Sequence, residues 1–273
     1  MKNKIRSLKT IYNTLRYNYL LRKKIVVEPS DEKLLFDILD KYKDQKTVFV
    51  HIGLGQIKAA FKVSPYEFII EALNKRFKNI ITPGFTPSFR KSGVYHKKYS
   101  LPEYGYFSRS FMKDANYRTD DPVYSLLVKG NYRFGIEHYI EDSLGLKGPF
   151  NQLDRDNVLC INIGTKWLVS SHLHFIEYNS MVPYIEKQIY EGIIYYDEHN
   201  HDRISTINYV NKHWFNKYAT IMWNRFKISR DLYKYGVMDY YNINGVKVYA
   251  FKVGDMKKVL EAKINKNPYY LIT

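Results

Sequence analysis

Apolar residues recur along this chain in two periods, and the change from one to the other lays out most of its elements. Within residues 1–24, Ile5, Leu8, Tyr12, Leu15 and Tyr19 return at helical spacing among eight lysines and arginines and no acid, which predicts a basic amphipathic helix. After Pro29, the stripe Leu34, Leu35, Ile38, Leu39 and Tyr42 predicts a second helix over 31–42. Residues 47–52, TVFVHI, are short, β-branched and nearly all apolar, the pattern of a strand buried on both faces. Gly53 and Gly55 then predict a turn. Ser64-Pro65-Tyr66-Glu67 has the form of a capping box with proline at the first helical position, opening a helix to about Phe77. A second strand at 79–82 completes a strand–helix–strand unit.

Residues 83–121 are punctuated by Pro83, Gly84, Pro87, Gly93, Pro102 and Gly105 without clear periodicity, a length more typical of a functional loop than of a connector. Residues 157–163, NVLCINI, repeat the buried-strand pattern. Residues 237–253 read as a hairpin turning at Asn244-Gly245, and 255–266 as a final basic helix. Neither an internal repeat nor a linker breaks the chain, so one α/β domain over 29–273 is expected, preceded by an extension over 1–28.

Composition narrows the classes. With 273 residues, 45% hydrophobic and 26% charged, collagen-like, coiled-coil and disordered chains are excluded. The single cysteine, Cys160, lies inside a strand pattern and reads as a small core residue, and cysteine usage points to a reducing, cytoplasmic setting. No run approaches the roughly 18 to 20 apolar residues of a membrane span. Lys and Arg number 43 against 27 Asp and Glu, a formal charge of +16, which favours anionic partners: nucleic acid, a membrane surface or small phosphorylated molecules. The N-terminal helix has two uses open to it, docking on the body or another subunit, and adhesion to an anionic membrane surface.

Three polar clusters fall at predicted strand ends, where open α/β sheets hold their ligands. His51-Ile52-Gly53-Leu54-Gly55 offers backbone N–H groups to a phosphate or is a plain tight turn, and neither a dinucleotide fingerprint nor a P-loop pattern accompanies it. Arg118-Thr119-Asp120-Asp121-Pro122 gathers a cation, a hydroxyl and two carboxylates, or is a surface turn. In Ser170-Ser171-His172-Leu173-His174-Phe175-Ile176-Glu177, a helix brings His174 and Glu177 together at i and i+3. That pair is either a structural contact or a base with its orienting carboxylate. His172 with His174, and His199 with His201, each lack a third well-spaced ligand, so no metal is expected.

Taken in order, these clusters resemble the motif series of the aminoglycoside 3-N-acetyltransferase family of CoA-dependent enzymes. Val50-His51-Ile52-Gly53-Leu54 is similar to the family's Val-His-Ser-Ser-Leu, and Ile81-Thr82-Pro83-Gly84-Phe85-Thr86 to its Met-Pro-x-Phe-Thr. Gly105-Tyr106-Phe107, Arg118 to Ser125 and Gly148-Pro149-Phe150 follow in the family's order. Ile163-Gly164 with Ser171 to Tyr178 is similar to its Leu-Gly and Thr-x-x-His-x-x-Glu-Tyr. The resemblance covers about residues 45–180 and implies a single domain with a mixed central sheet flanked by helices. It implies that His174 takes a proton from an acceptor amine, that Glu177 orients it, and that Ser171 hydrogen-bonds the thioester region. It further implies that His51, Ile52, Gly53 and Leu54 position acetyl-CoA, with Arg118 and Thr119 as helpers. Ile52 and Gly53 replace hydroxyl residues of the family, and Asp121 replaces its histidine before proline; both changes bear on binding more than on reaction class.

Charge then weighs between acceptors. Polycationic aminoglycosides favour an acidic site, whereas a +16 chain suits phosphate-bearing amino sugars, such as nucleotide-linked sugars of surface polysaccharide assembly. The aminoglycoside acceptor stands as the alternative. A basic nucleic-acid binder is the alternative of another class, and no compact recognition motif supports it.

Overall fold

The computed structural model describes residues 31–135, 141–212, 223–243 and 245–273, together with Tyr12 and Leu15; counts and partners below are of these residues. The helix expected over 1–24 lies outside them apart from Tyr12 and Leu15, as does Asn244 of the hairpin turn.

Period-two alternation in the central strands decides the layering. In β1 (Thr47–Ile52), Val48 and Val50 join one apolar cluster and Phe49 the other. In β6 (Leu159–Ile163), Ile161 and Ile163 face the first cluster and Cys160 the second. Both faces being apolar, each must be covered by helices. The first is covered by α1 (Lys33–Asp40), α2 (Leu54–Phe61), α3 (Pro65–Asn74) and α5 (Tyr106–Phe111). The second is covered by α6 (Pro149–Arg155), α7 (His172–Asn179), α8 (Arg225–Lys234) and α9 (Val253–Lys266).

The sheet has seven strands, with β2 (Asn79–Pro83), β4 (Tyr117–Arg118), β5 (Leu126–Lys129), β9 (Met238–Ile243) and β10 (Val246–Lys252) in the order β4-β5-β2-β1-β6-β10-β9. The central β2, β1 and β6 are parallel and the flanking pairs antiparallel, which is the mixed sheet flanked by helices that the resemblance implies. The strand–helix–strand unit holds, and Gly245 takes φ +91° in the predicted hairpin turn. Cys160 is buried, and burial raises its thiol pKa, consistent with a core role.

Four local features depart from expectation. A helix, α2, begins directly after Gly53 where a turn was expected. Leu54, Ile57, Ala60 and Phe61 form its buried stripe, a helical period interrupted to the eye by Gly55. Ser64 precedes α3 with Pro65 at the first helical position, but its hydroxyl donates to the Glu67 carboxylate instead of accepting a backbone N–H, so the reciprocal capping box does not form. The segment 83–121 is ordered by α4 (Phe89–Ser92), β3 (Val94–His96), α5 and β4. A second sheet, β3-β7-β8, was not foreseen; it contains the antiparallel pair β7 (Ile185–Tyr195) and β8 (His201–Asn211). Its strands mix Ile and Tyr with Glu, Lys and Gln because they are only half covered, burying Ile194, Ile204 and Ile207.

The carboxyl ends of β1 and β6 touch backbone to backbone. Gly53 N–H donates to the Ile163 carbonyl at 2.9 Å. A Cβ on Gly53 would stand 2.3 Å from the Gly164 oxygen, and one on Gly164, whose φ is +69°, 2.6 Å from the Gly53 oxygen. Two glycines are therefore required where the two strands end. Gly164→Ala should cost about 2 kcal/mol or more of stability, read as a lower urea midpoint with an unchanged slope; a wild-type midpoint would show that this contact relaxes freely.

Candidate active site

The site is built from two polar residues inside an apolar sheet. His51 and Asn162 are register partners on β1 and β6, and alternation puts both on the face of Phe49 and Cys160. Asn162 Oδ1 accepts the Val169 N–H at 2.6 Å, and His51 Nε2 accepts the Ser171 N–H at 3.4 Å. Burial, with Arg225 adding its charge, pushes the His51 pKa down to about 3, so its imidazole is neutral and free to accept. The pair thereby fixes the loop that enters α7.

From the far side, His172 Nε2 meets Asp154 Oδ1 of α6 at 3.1 Å, and Lys257 of α9 meets the other oxygen at 2.8 Å. His172 is thus a buried clamp. The opposite face of α7 carries His174 and Glu177. His174 Nδ1 lies 3.8 Å from Glu177 Oε2, adjacent yet longer than a hydrogen bond. The other carboxylate oxygen accepts from the Tyr184 hydroxyl at 2.7 Å and the Trp223 indole N–H at 2.6 Å.

Burial raises the Glu177 pKa to about 7, with the Trp223 and Tyr184 hydrogen bonds working against it. His174 is pushed down to about 4, first by the protein enclosing it and then by the charges of Arg90 and Arg225. Its side chain keeps 40% exposure on the face open to the cleft, and water there moderates the shift without reversing its direction. Its ring lies between two aromatics, Trp223 with centroids 4.7 Å apart and Tyr124 at 5.9 Å. At pH 7 the site holds a neutral imidazole beside a carboxyl group poised to change charge.

His174 stands where two cavities meet. The larger, about 560 Å³, runs past Arg90, Tyr124, Glu177, Tyr209 and Asn211; the smaller, about 330 Å³, runs past His51, Ile52, Thr82, Ser108 and Ser171. Phe85, Tyr104, His174, Trp223 and Arg225 belong to both. In the wall of the smaller cavity, Ser170 Oγ and Thr165 Oγ1 are buried without a hydrogen-bond partner, polar atoms that an occupant would satisfy. The segment 83–121 contributes Phe85, Pro87, Arg90, Tyr104, Phe107 and Ser108 to these walls.

Of the residues singled out in the sequence, His51, Ile52, Ser171, His174 and Glu177 converge here. The others do not. Gly53 serves the contact with Gly164, and Leu54 lines a separate groove with Lys58 and Lys113. Arg118 is buried and donates to the Gly84, Lys97 and Ser100 carbonyls and the Ser125 hydroxyl, while Thr119 Oγ1 accepts the Leu126 N–H. Neither lines either cavity, because their polar groups are spent in bracing segment 83–121. Asp121 Oδ1 accepts the Val123 and Tyr124 N–H groups and so aims Tyr124. Asn162, Tyr184, Trp223, Arg90 and Arg225 were missed: Trp223 is 46 residues from the carboxylate it touches, and no local spacing signals such a contact.

No protein-family profile and no curated protein sequence match this chain. Solved structures do. The chain is similar to the YokD protein from Bacillus subtilis, with a TM-score of 0.68 at 17% identity over 89% of this chain and 96% of that one. It is similar to the aminoglycoside acetyltransferase AAC(3)-Xa, with 0.71 at 15% over 94% and 99%. It is also similar to AAC-IIIb in its binary form with CoASH, with 0.68 at 12% over 88% and 97%. The fold of this chain is that of the aminoglycoside 3-N-acetyltransferases.

If Arg118 braces the loop, Arg118→Met removes the donor of the Lys97 and Ser100 carbonyls, while the Gly84 carbonyl keeps the Ser125 hydroxyl, and should cost about 1–3 kcal/mol. Chemical denaturation measures this, and undiminished stability would return Arg118 to the list of ligand-binding candidates.

Proposed function

We propose that this protein is a CoA-dependent N-acetyltransferase that acylates the amino group of an amino sugar. The observation that carries the reading is the placement of His174 where two cavities meet, one for each reactant. The smaller cavity is assigned to the acyl donor: it has the strand-end turn at His51 and Ile52, the Ser171 hydroxyl, and the unpartnered Ser170 and Thr165 oxygens to hold an amide-rich pantetheine arm. The larger is assigned to the acceptor. CoASH bound to the similar AAC-IIIb and sisomicin bound to the similar AAC-VIa support a coenzyme donor and an amino-sugar acceptor.

The donor's thioester supplies an activated carbonyl. Amine attack on it needs a neutral nitrogen, and His174, uncharged at pH 7, is the group placed to take the amine proton. As the nitrogen bonds to the carbonyl carbon and the carbon–sulfur bond breaks, that proton passes through His174 to the departing sulfur. Glu177 stabilises the transient imidazolium, closing the 3.8 Å gap when charge develops on the ring. The Ser171 hydroxyl is placed to donate to the thioester oxygen.

The acceptor admits two finer readings. A nucleotide-linked amino sugar of surface polysaccharide assembly is supported by the +16 charge; an aminoglycoside is supported by the names of the similar structures and is the better backed by comparison. Cytoplasmic placement, with residues 1–28 touching a membrane surface, belongs to the first reading. Among the described residues no helix is long and apolar enough to cross a membrane.

Thiol release from acetyl-CoA, followed across a panel of both acceptor classes, tests the function. His174→Ala should lower kcat about a thousandfold while calorimetry finds CoA binding intact; wild-type turnover in this variant would refute the base assignment.

A pH profile tests the dyad. Because His174 is deprotonated well below neutrality, the acidic limb of kcat/KM reports Glu177 and should rise through about pH 7. Trp223→Phe keeps a ring against His174 but removes a donor that favours the carboxylate, so the limb should move to higher pH. An unmoved limb would separate Glu177 from the rate.

A further inference from the structure

The groove that Leu54 lines adjoins the smaller of the two cavities that meet at His174. It encloses about 590 Å³ between α2, α3 and α5. Two stretches of chain wall both spaces. After β1, Ile52 lines the smaller cavity while Leu54 and Gly55 line the groove; at the start of α5, Phe107 and Ser108 line the cavity while Tyr106 and Ser110 line the groove. Two residues of backbone reach at most about 7 Å, so the spaces are neighbours and an elongated ligand can lie in both. The Tyr66 ring of the groove packs on Phe107 of the cavity, with centroids 5.5 Å apart.

The chemistry of the groove differs from that of the cavity. Lys58 lines it from α2, and Lys113, just beyond α5, stands 4.8 Å from the Tyr66 ring centroid. Tyr106 is 72% exposed, leaving a flat aromatic ring open to solvent. Gly55 leaves its part of the wall bare, since a Cβ there would meet no atom within 4 Å. The acids nearby are occupied. Glu67 is the one carboxylate among the described lining residues and accepts the Ser64 hydroxyl at 2.5 Å, while Asp114 accepts the Tyr66 hydroxyl and lies 3.8 Å from Lys129 Nζ.

Resting on the transferase reading, we propose that this groove holds the phosphorylated nucleoside end of acetyl-CoA, with Lys58 and Lys113 on its phosphates and the Tyr106 ring stacked on its base. Such a donor is amide-rich along its arm and both anionic and aromatic at its far end, the same succession of chemistries that runs from the cavity into the groove. Lysine meets phosphate as a point charge with three donors, and any base can stack on a tyrosine. Lys58 and Lys113 thereby take the part that Arg118 and Thr119, spent in bracing segment 83–121, do not fill.

Calorimetry with CoASH and with pantetheine, which lacks the nucleotide, tests this. The wild-type protein should bind CoASH at least about tenfold more tightly than pantetheine, the scale of one charge-assisted hydrogen bond. Lys58→Ala combined with Lys113→Ala, and separately Tyr106→Ala, should each weaken CoASH about tenfold and leave pantetheine unchanged. Gly55→Leu raises helix propensity, fills the groove and should act in the same way. Wild-type CoASH affinity in these variants overturns the subsite, and so does an equal loss of CoASH and pantetheine, which would trace the effect to the smaller cavity. Steady-state kinetics separates a second source of nucleotide: a KM increase confined to a nucleotide-linked amino sugar, with the acetyl-CoA KM unchanged, overturns the assignment by giving the groove to the acceptor. CoASH that binds through the groove without acyl transfer to any amino sugar keeps the subsite and removes the transferase reading; CoASH that does not bind removes both.

Discussion

Placement of His174 depends on a pair of hydrogen bonds made inside an otherwise apolar sheet. His51 and Asn162 face each other across β1 and β6 and accept the N–H groups of Ser171 and Val169. An unpaired acceptor at that depth would cost about 1–3 kcal/mol, so the loop is held where it satisfies both. That loop is the entry to α7, and α7 carries His174. The Gly53–Gly164 contact is the backbone counterpart of the same constraint, since it lets the two strand ends close enough for one loop to reach both acceptors.

From this anchor the electrostatics follow. Fixed by His51 and Asn162 at one end and by the His172–Asp154–Lys257 clamp behind, α7 turns its remaining face toward the cleft. Enclosure then acts oppositely on the two titratable groups, lowering the imidazole and raising the carboxyl, because burial always penalises the charged form. Tyr184 and Trp223 temper the second effect and the two arginines reinforce the first. The result is a neutral imidazole beside a carboxyl group whose pKa lies near 7.

The loop-like segment 83–121 shows how a stretch without periodicity becomes ordered. Its order comes from Arg118, which satisfies carbonyls at Gly84, Lys97 and Ser100 simultaneously. Those bonds close the segment over the sheet and set Phe85, Arg90 and Tyr104 against the cleft. In the sequence Arg118 has the character of a ligand-binding residue, for a buried structural arginine and an anion-binding arginine share the same donors. What separates them is whether those donors are already occupied, which depends on residues as many as 34 positions away.

By itself the sequence determined the parallel strands around β1, the C-terminal hairpin and helix, and the neighbourhood of His174 and Glu177, because each follows from spacing along one element: period two for strands, i and i+3 on a helix. Only the tertiary structure decided which polar residues share a cavity. It left Gly53, Leu54, Arg118 and Thr119 outside the walls of both cavities, and it brought Asn162, Tyr184, Trp223, Arg90 and Arg225 to His174 and the loop that holds it. A cavity is bounded by walls from distant segments, so its charge and its hydrogen bonds are properties of packing, and no local period encodes them.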